Sequence, residues 1–257
     1  MRIFITGGTG FIGSNFINLA QKEDISFIAL KNKNSIPRVK LSKSPEWAVG
    51  KMNDNWRDEL SKCNAFLHMA SYGVVRDSNN WEKCFKINVL ESLDLWRQAI
   101  SVGIKKFVII GSCFEYGISG KNYKEIPTDA PLIPNNAYSA SKASATIAAI
   151  SLAIEYGLDL TVLRPFHVYG EGEDKERFWP TLNRCAEQNK NLEMTKGEQI
   201  RDFQYVGDTV KDILFYLLKD IDCSDPKVIN LGTGKPKSLI KFAKEEWERI
   251  GAKGLIL

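Results

Sequence analysis

Histidine, paired cysteine, long apolar runs and an excess of one charge are all missing or scarce in this 257-residue chain. Each scarcity closes off a class of function. The five cysteines, Cys63, Cys84, Cys113, Cys185 and Cys223, are odd in number and scattered, without the pair spacing of a metal site. Reduced thiols in a cytoplasmic protein, and no bound metal, are the expectation. No apolar run is long enough to cross a bilayer, and Met1 runs straight into a strand-like segment, so neither a membrane partner nor a signal peptide is expected. Lys and Arg number 35 against 31 Asp and Glu, a net charge of +4 spread along the chain, which gives no support to nucleic-acid binding. No repeat or low-complexity segment is visible. What is present, 44% hydrophobic and 26% charged residues, is enough to bury a substantial core.

Glycine is where the chain becomes informative. The apolar run Arg2–Thr6 reads as a buried parallel strand, breaks into Gly7, Gly8, Gly10 and Gly13, and then enters a helical pattern from Ser14 to Ala20. Glycines between a first strand and a first helix permit a tight turn, close approach of backbone to a pyrophosphate, and a helix N-terminus that supplies N–H donors. Further strands are expected at 25–30, 64–69, 106–110, 160–163 and 228–231. Helical periodicity fills Trp81 to Val102 and Ala137 to Tyr156, the latter ending at Gly157 as a C-cap. This alternation predicts an α/β fold with a doubly wound parallel sheet. The polar stretch 31–55, with Pro37 and Pro45, reads as irregular.

Downstream of the glycines lie Ser112 and a Tyr-x-x-x-Lys pair, Tyr138 and Lys142. Reducing a ketone requires hydride at carbon and a proton at an oxygen that gains negative charge. Tyr138 is the candidate acid/base, although a phenol of pKa about 10 is a poor base at neutral pH. Lys142, one helical turn on, is expected to lower that pKa by its charge and to hydrogen-bond a nicotinamide ribose. Ser112, at a strand end, would hydrogen-bond the substrate oxygen.

Seven segments in order resemble the extended short-chain dehydrogenase/reductase family, in the branch that acts on nucleotide sugars. They are Thr6–Gly13, Leu67–Ser71, Lys86–Leu90, Phe107–Gly117, Tyr138–Lys142, Leu163–Gly170 and Arg201–Asp208. The resemblance implies cofactor contacts from Gly7, Gly10, Phe11, Ile12, Gly13, Ala70, Ser71, Asn88, Tyr138, Lys142, Pro165 and Val168. It implies substrate contacts from Tyr72, Ser112, Cys113, Phe114, His167 and Arg201, with Arg201 on the nucleotide diphosphate. It also implies a dinucleotide-binding domain over 1–170 and about 204–232, a small substrate region over 171–203 and 233–257, and a homodimer built on the two long helices. Relatives usually run further through another strand and helix, so the substrate region is expected to be shortened, with Gly254–Leu257 opening a strand.

Departures from the family pattern narrow the chemistry. Family 4,6-dehydratases place Asp and Glu directly after the Ser/Thr of this strand, whereas Cys113 and Phe114 stand here. The glucuronate decarboxylases carry Glu where Phe114 is, and the fucose-synthase type uses a Cys there and a His that neither His68 nor His167 matches. Reduction of a 4-keto sugar and 4-epimerisation remain. The second strand ends in Leu30, Lys31, Asn32, Lys33, with Arg38 nearby, rather than in an acid that would bind a ribose diol. Lys31 and Lys33 would welcome a 2′-phosphate, so NADPH is preferred as cofactor, NAD being the alternative.

An NADPH-dependent 4-keto-6-deoxy-sugar reductase of surface-polysaccharide synthesis is therefore the expectation, with an epimerase holding NAD, and a non-catalytic dinucleotide-binding homologue, left open. His167 stands where many relatives have Asn and reads equally as a sugar contact or a core histidine. His68 reads as structural. Cys113 reads as a pocket residue rather than a nucleophile, and Phe114 and Trp179 read first as core.

Overall fold

Alternating apolar runs dictate the architecture. The structure, a computed structural model, describes residues 1–74, 78–219 and 225–257; Cys223 lies outside them. Along the chain come β1 (Arg2–Thr6), α1 (Phe11–Lys22), β2 (Ser26–Lys31), β3 (Glu46–Val49), α2 (Arg57–Leu60), β4 (Ala65–His68), α3 (Trp81–Phe85), α4 (Ser92–Ser101), β5 (Lys106–Ile110), α5 (Ala137–Tyr156) and β6 (Asp159–Pro165). There follow β7 (His167–Tyr169), α6 (Phe178–Glu187), β8 (Ile200–Arg201), β9 (Phe203–Tyr205), α7 (Val206–Leu218), β10 (Lys227–Leu231), β11 (Lys237–Ser238) and α8 (Leu239–Ile250).

Seven strands form one sheet in the order β10-β6-β5-β4-β1-β2-β3, every pair parallel. The period of two sends alternate residues to opposite faces. Phe4, Phe66, Phe107 and Val162 pack with Trp96 of α4 and Ala145, Ala149 and Ala153 of α5. Ile3, Ile5, Leu67 and Val108 pack with Phe16 and Ile17 of α1 and Ile213 of α7. The order reverses between β1, which leads on to β2, and β4 on its other side. That switch opens a crevice at the carboxyl ends of the strands, where ligands bind in such sheets.

Two expectations need correcting. The stretch 31–55 is not wholly irregular: Glu46–Val49 adds β3 as an edge strand beside β2, with Ala48 buried. Four residues with a single deeply buried side chain give too little periodicity to read. The helix expected from Trp81 to Val102 is broken by a π-helical stretch, Lys86–Glu91, between α3 and α4. Gly157 does end α5 in the left-handed conformation.

Beyond the sheet, α6 and α8 pack through Leu182, Ala186, Ala243 and Trp247. Leu192 pairs in parallel with Ile256, so the apolar tail does run as an extended segment beside 192–194. Trp179 is core, its indole donating to Glu246 at 3.0 Å. Among the described residues no helix is long and apolar enough to cross a membrane, no group of side chains has the makings of a metal site, and Cys63, Cys84, Cys113 and Cys185 form no disulfide.

Candidate active site

The glycine turn is a cradle made by leaving side chains out. Gly7 has φ +71, and a Cβ there would stand 2.6 Å from Ala70 N; a Cβ on Gly13 would stand 2.1 Å from the Gly7 carbonyl oxygen. Gly10 is the N-cap of α1 and brings no side chain to cap it, so the first N–H groups of the helix stay available to an anion. A cavity of about 400 Å³ runs from Gly7, Gly10, Phe11, Ile12 and Gly13 to Ser112, Tyr138 and Lys142, taking in Tyr72, Pro165 and Val168. A second, of about 420 Å³, holds Lys31 and Ala70, with Gly7, Gly10, Ser71 and Tyr72 shared between the two. Residues that a dinucleotide needs at its pyrophosphate and at both riboses therefore face connected spaces, and the cradle fits that group.

Buried polar side chains fix the loop after β4. Thr6 Oγ1 accepts the Met69 and Ala70 N–H groups, each at 3.2 Å, and meets His68 Nδ1 at 3.0 Å. His68 Nε2 meets Ser92 Oγ at 3.2 Å, and Ser92 donates to the Ile87 carbonyl at 3.0 Å. One assignment satisfies all of these: Thr6 donates to Nδ1, and Nε2–H donates to Ser92. Burial, aided by Lys142, lowers the His68 pKa to about 3, in keeping with that neutral ring. His68 is thus structural.

Asn88 differs from expectation. Its Oδ1 accepts the Tyr72 N–H at 2.7 Å, and its Nδ2 donates to the Tyr72 carbonyl at 3.0 Å and to Ser141 Oγ at 2.9 Å. The carboxamide bonds within the protein and lines neither cavity, and in this structure Asn88 holds Tyr72. Lys33 also differs: the chain turns at Asn32, whose carbonyl accepts Ser35 N–H at 3.0 Å, and Lys33 is left exposed outside both cavities. Lys31 does face the second cavity, its ammonium 5.0 Å from the Trp47 ring centroid.

α5 presents the Tyr/Lys pair from its first turns. Asn136 and Ser139 form a capping box that starts the helix one residue before Tyr138. Burial pushes the Tyr138 pKa up to about 12, an effect that the neighbouring hydroxyls of Ser112 and Ser71 only partly oppose. The expected lowering by Lys142 is absent, because the Lys142 ammonium turns to the Ile110 carbonyl at 2.6 Å. Burial in turn lowers the Lys142 pKa. Ser112 begins a 3₁₀ turn, Cys113–Tyr116, and its Oγ accepts the Phe114 N–H at 3.2 Å.

Phe114 is not core. It is 45% exposed and lines both the cleft and a third cavity of about 680 Å³, with its ring edge-on to Tyr138 and to His167. Cys113, His167 and Arg201 line that third cavity. Burial raises the Cys113 thiol to about 12, which removes it as a nucleophile, and lowers His167 to about 4, helped by Arg201. Arg201 is exposed and donates to its neighbour's carbonyl, that of Ile200, at 2.7 Å.

Several lining residues escaped the sequence reading. Lys51 shares the Lys31 cavity; Glu173, Asp174 and Arg177 form one wall of the cleft, with Arg38 bound to Asp174 at 3.4 Å. Burial lifts the Glu173 carboxyl to about 7. No local motif announces these positions; Glu173, Asp174 and Arg177 come from the loop after β7, which folds back toward α1, where Asn15 donates to the Glu171 carbonyl at 2.8 Å.

Known proteins are similar to this chain in sequence and in fold. A mouse dTDP-D-glucose 4,6-dehydratase is 27% identical over 95% of this chain and 71% of its own length. A putative UDP-glucose 4-epimerase of Methanocaldococcus jannaschii is 26% identical over 98% of this chain and 83% of its own. The UDP-glucose 4-epimerase of Thermotoga maritima, solved with UDP-glucose, superposes with a TM-score of 0.85 at 26% identity, over 100% of this chain and 85% of that one. The profile of one family spans residues 3–232, from the first strand through the last strand of the sheet. With the glycine cradle, the Ser/Tyr/Lys set and the strand order all inside that span, the chain belongs to the NAD dependent epimerase/dehydratase family.

Proposed function

We propose that the protein reduces a nucleotide-linked 4-keto-6-deoxy sugar with NADPH, in the synthesis of surface polysaccharide. The observation that carries this reading is the pair next to Ser112. A thiol held protonated by burial and a half-exposed Phe114 occupy the positions where a dehydratase needs two proton carriers, so the chemistry stays at one carbon. Phe114 also supplies an apolar wall beside the Ser112/Tyr138 pair, suited to a methyl rather than a hydroxymethyl substituent on the neighbouring carbon.

The bound nicotinamide supplies the hydride. Tyr138, with a pKa of about 12, is a protonated phenol at neutral pH and is set to give its proton to the oxygen that develops charge. Ser112 steadies that oxygen, Lys142 and the loop at Ser71 close the cofactor side, and Arg201 and His167 take the nucleotide diphosphate and the sugar. In this reading 1–170 and about 204–232 bind the dinucleotide, and 171–203 with 233–257 close over the substrate. Preference for NADPH is supported by Lys31 and Lys51 in one cavity at the end of β2, which carries no acid there.

A 4-epimerase that retains NAD is the second reading. It is favoured by the family's own description and by the Arg38–Asp174 contact, which straps the loop after β7 to the segment beside the glycine turn. Mixing the protein with NADPH and a panel of nucleotide-linked 4-keto sugars, while following reduced-nicotinamide absorbance, separates the two. Absorbance loss supports reduction; interconversion of UDP-glucose and UDP-galactose without added cofactor overturns it.

A homodimer is part of the proposal, supported by exposed Ile147 and Ile154 on α5 and exposed Leu90 on the other long helical segment. Light scattering at micromolar concentration tests it, and a monomer removes it. A cytoplasmic place is supported by thiols outside disulfides.

A further inference from the structure

Glu115 follows Ser112 in the 3₁₀ turn and is fully buried, where a carboxylate survives only with partners. Its Oε1 accepts the Ser112 N–H at 2.8 Å, and its Oε2 accepts Arg164 Nε–H from β6 at 2.8 Å. Arg164, 3% exposed, donates through Nη1 to the Tyr116 hydroxyl at 2.8 Å and the Thr128 carbonyl at 3.0 Å. Tyr116 passes its own proton to Asn230 Oδ1 of β10 at 2.7 Å, and Asn230 donates to the Ile126 carbonyl at 2.8 Å. Burial raises the Glu115 pKa and Arg164 opposes it. Both carboxylate oxygens face fixed donors, so an added proton would have no acceptor to point at.

Folding alone does not call for this pair, since buried ion pairs are often replaced by apolar residues of similar volume without loss of stability. What an apolar pair lacks is an acceptor for the Ser112 N–H. That bond holds Ser112 in extended backbone, φ −161 and ψ 142, from which its Oγ accepts the Phe114 N–H and the residue lines the cleft with Tyr138. A Cβ on Gly111 would stand 2.5 Å from Glu115 Oε1, so the carboxylate also occupies the space under the end of β5.

We propose that Glu115 and Arg164 are positioning residues: a buried strut that fixes the Ser112 hydroxyl against β6 and β10. The proposal rests on Ser112 serving the substrate oxygen. In Glu115→Gln an amide N–H meets Arg164 Nε–H, and a buried charge loses its partner, so that variant can fail to fold. The double variant Glu115→Met with Arg164→Met leaves no orphaned charge.

For that double variant, which leaves the buried Ser112 N–H without its acceptor, the melting temperature is expected to fall by only a few degrees and dinucleotide titration to match the wild type. kcat on the 4-keto substrate should fall by about 10², the size of a misplaced catalytic group, with KM little changed. Amide exchange should quicken over 111–116 and not over 2–22. A folded double variant with wild-type kcat, or with unchanged exchange over 111–116, overturns the proposal. Where the wild type itself turns over none of the panel, the functional reading fails separately. The exchange comparison then decides the strut alone: faster exchange confined to 111–116 upholds it.

Discussion

The two sides of the cleft are built from different materials. Under the glycine turn the wall is backbone: glycines whose missing Cβ atoms leave room, and helix N–H groups left uncapped. Around Ser112 the wall is side chain, held from distant segments: Glu115 by Arg164 and Tyr116 by Asn230. A backbone site tolerates changes of neighbouring side chains but no added methyl on its glycines. A side-chain site fails one hydroxyl at a time. In the proposed reading the first binds, and the second does chemistry.

The sharpest way to break that division is Tyr138→Phe. Turnover should drop by roughly 10² to 10⁴, the usual loss of a positioned acid, while dinucleotide affinity stays at the wild-type value in a titration. Equal losses of both would show that the two walls are not separable. Gly13→Ala tests the other wall. Its Cβ would stand 2.1 Å from the Gly7 carbonyl oxygen, an overlap the turn relieves only by moving. A strain of about 1–3 kcal/mol corresponds to about 5- to 150-fold weaker dinucleotide binding, with kcat at saturating cofactor preserved.

Histidine sharpens the comparison, since each side buries one. His68 and His167 have folded-state pKa values lowered to about 3 and about 4, against an ordinary 6.5. Between pH 6.5 and about 4 the unfolded chain binds protons that the folded one refuses, so stability is full above pH 6.5 and is lost as pH falls. The slope is about 1.4 kcal/mol per pH unit for each histidine. Urea midpoints across that window should flatten by one proton's worth in His167→Asn and remain steep in the wild type. The smallest expected effect is Lys31→Asp, which should shift the NADPH-to-NADH affinity ratio toward NADH by about 10-fold or less, because Lys51 stays in the cavity.

What could be read from the sequence follows the same division. Gly7 to Gly13, Ser112, Tyr138 and Lys142 stand in short local motifs, and the parallel alternation of strands and helices is set by local periodicity, so both were legible. For Asn88, motif position says nothing of where a carboxamide spends its bonds; here Tyr72 and Ser141 take three of its four. Phe114 was read as core because residue type favours burial, while the 3₁₀ turn after Ser112 carries it outward. Lys142 was expected to act on Tyr138 from helical spacing alone; the Ile110 carbonyl at the end of β5 claims its ammonium instead. Glu115 and Arg164 lie 49 positions apart, and nothing local marks them as partners.

The place of Asn230 gives the strut a consequence in time. Residues 1–68 supply β1 to β4 and the whole glycine turn, whereas Asn230 lies on β10, which joins the sheet only at β6. During N-to-C synthesis the elements of the cofactor cradle emerge long before the last anchor behind Ser112 has been made. A chain interrupted before Lys227 would carry every glycine of the cradle and the complete Ser112, Tyr138, Lys142 set, and still lack the tether that holds Tyr116 from β10. With the strut acting as proposed, catalytic competence in this fold is a late property, a built-in report that translation has reached the far edge of the sheet.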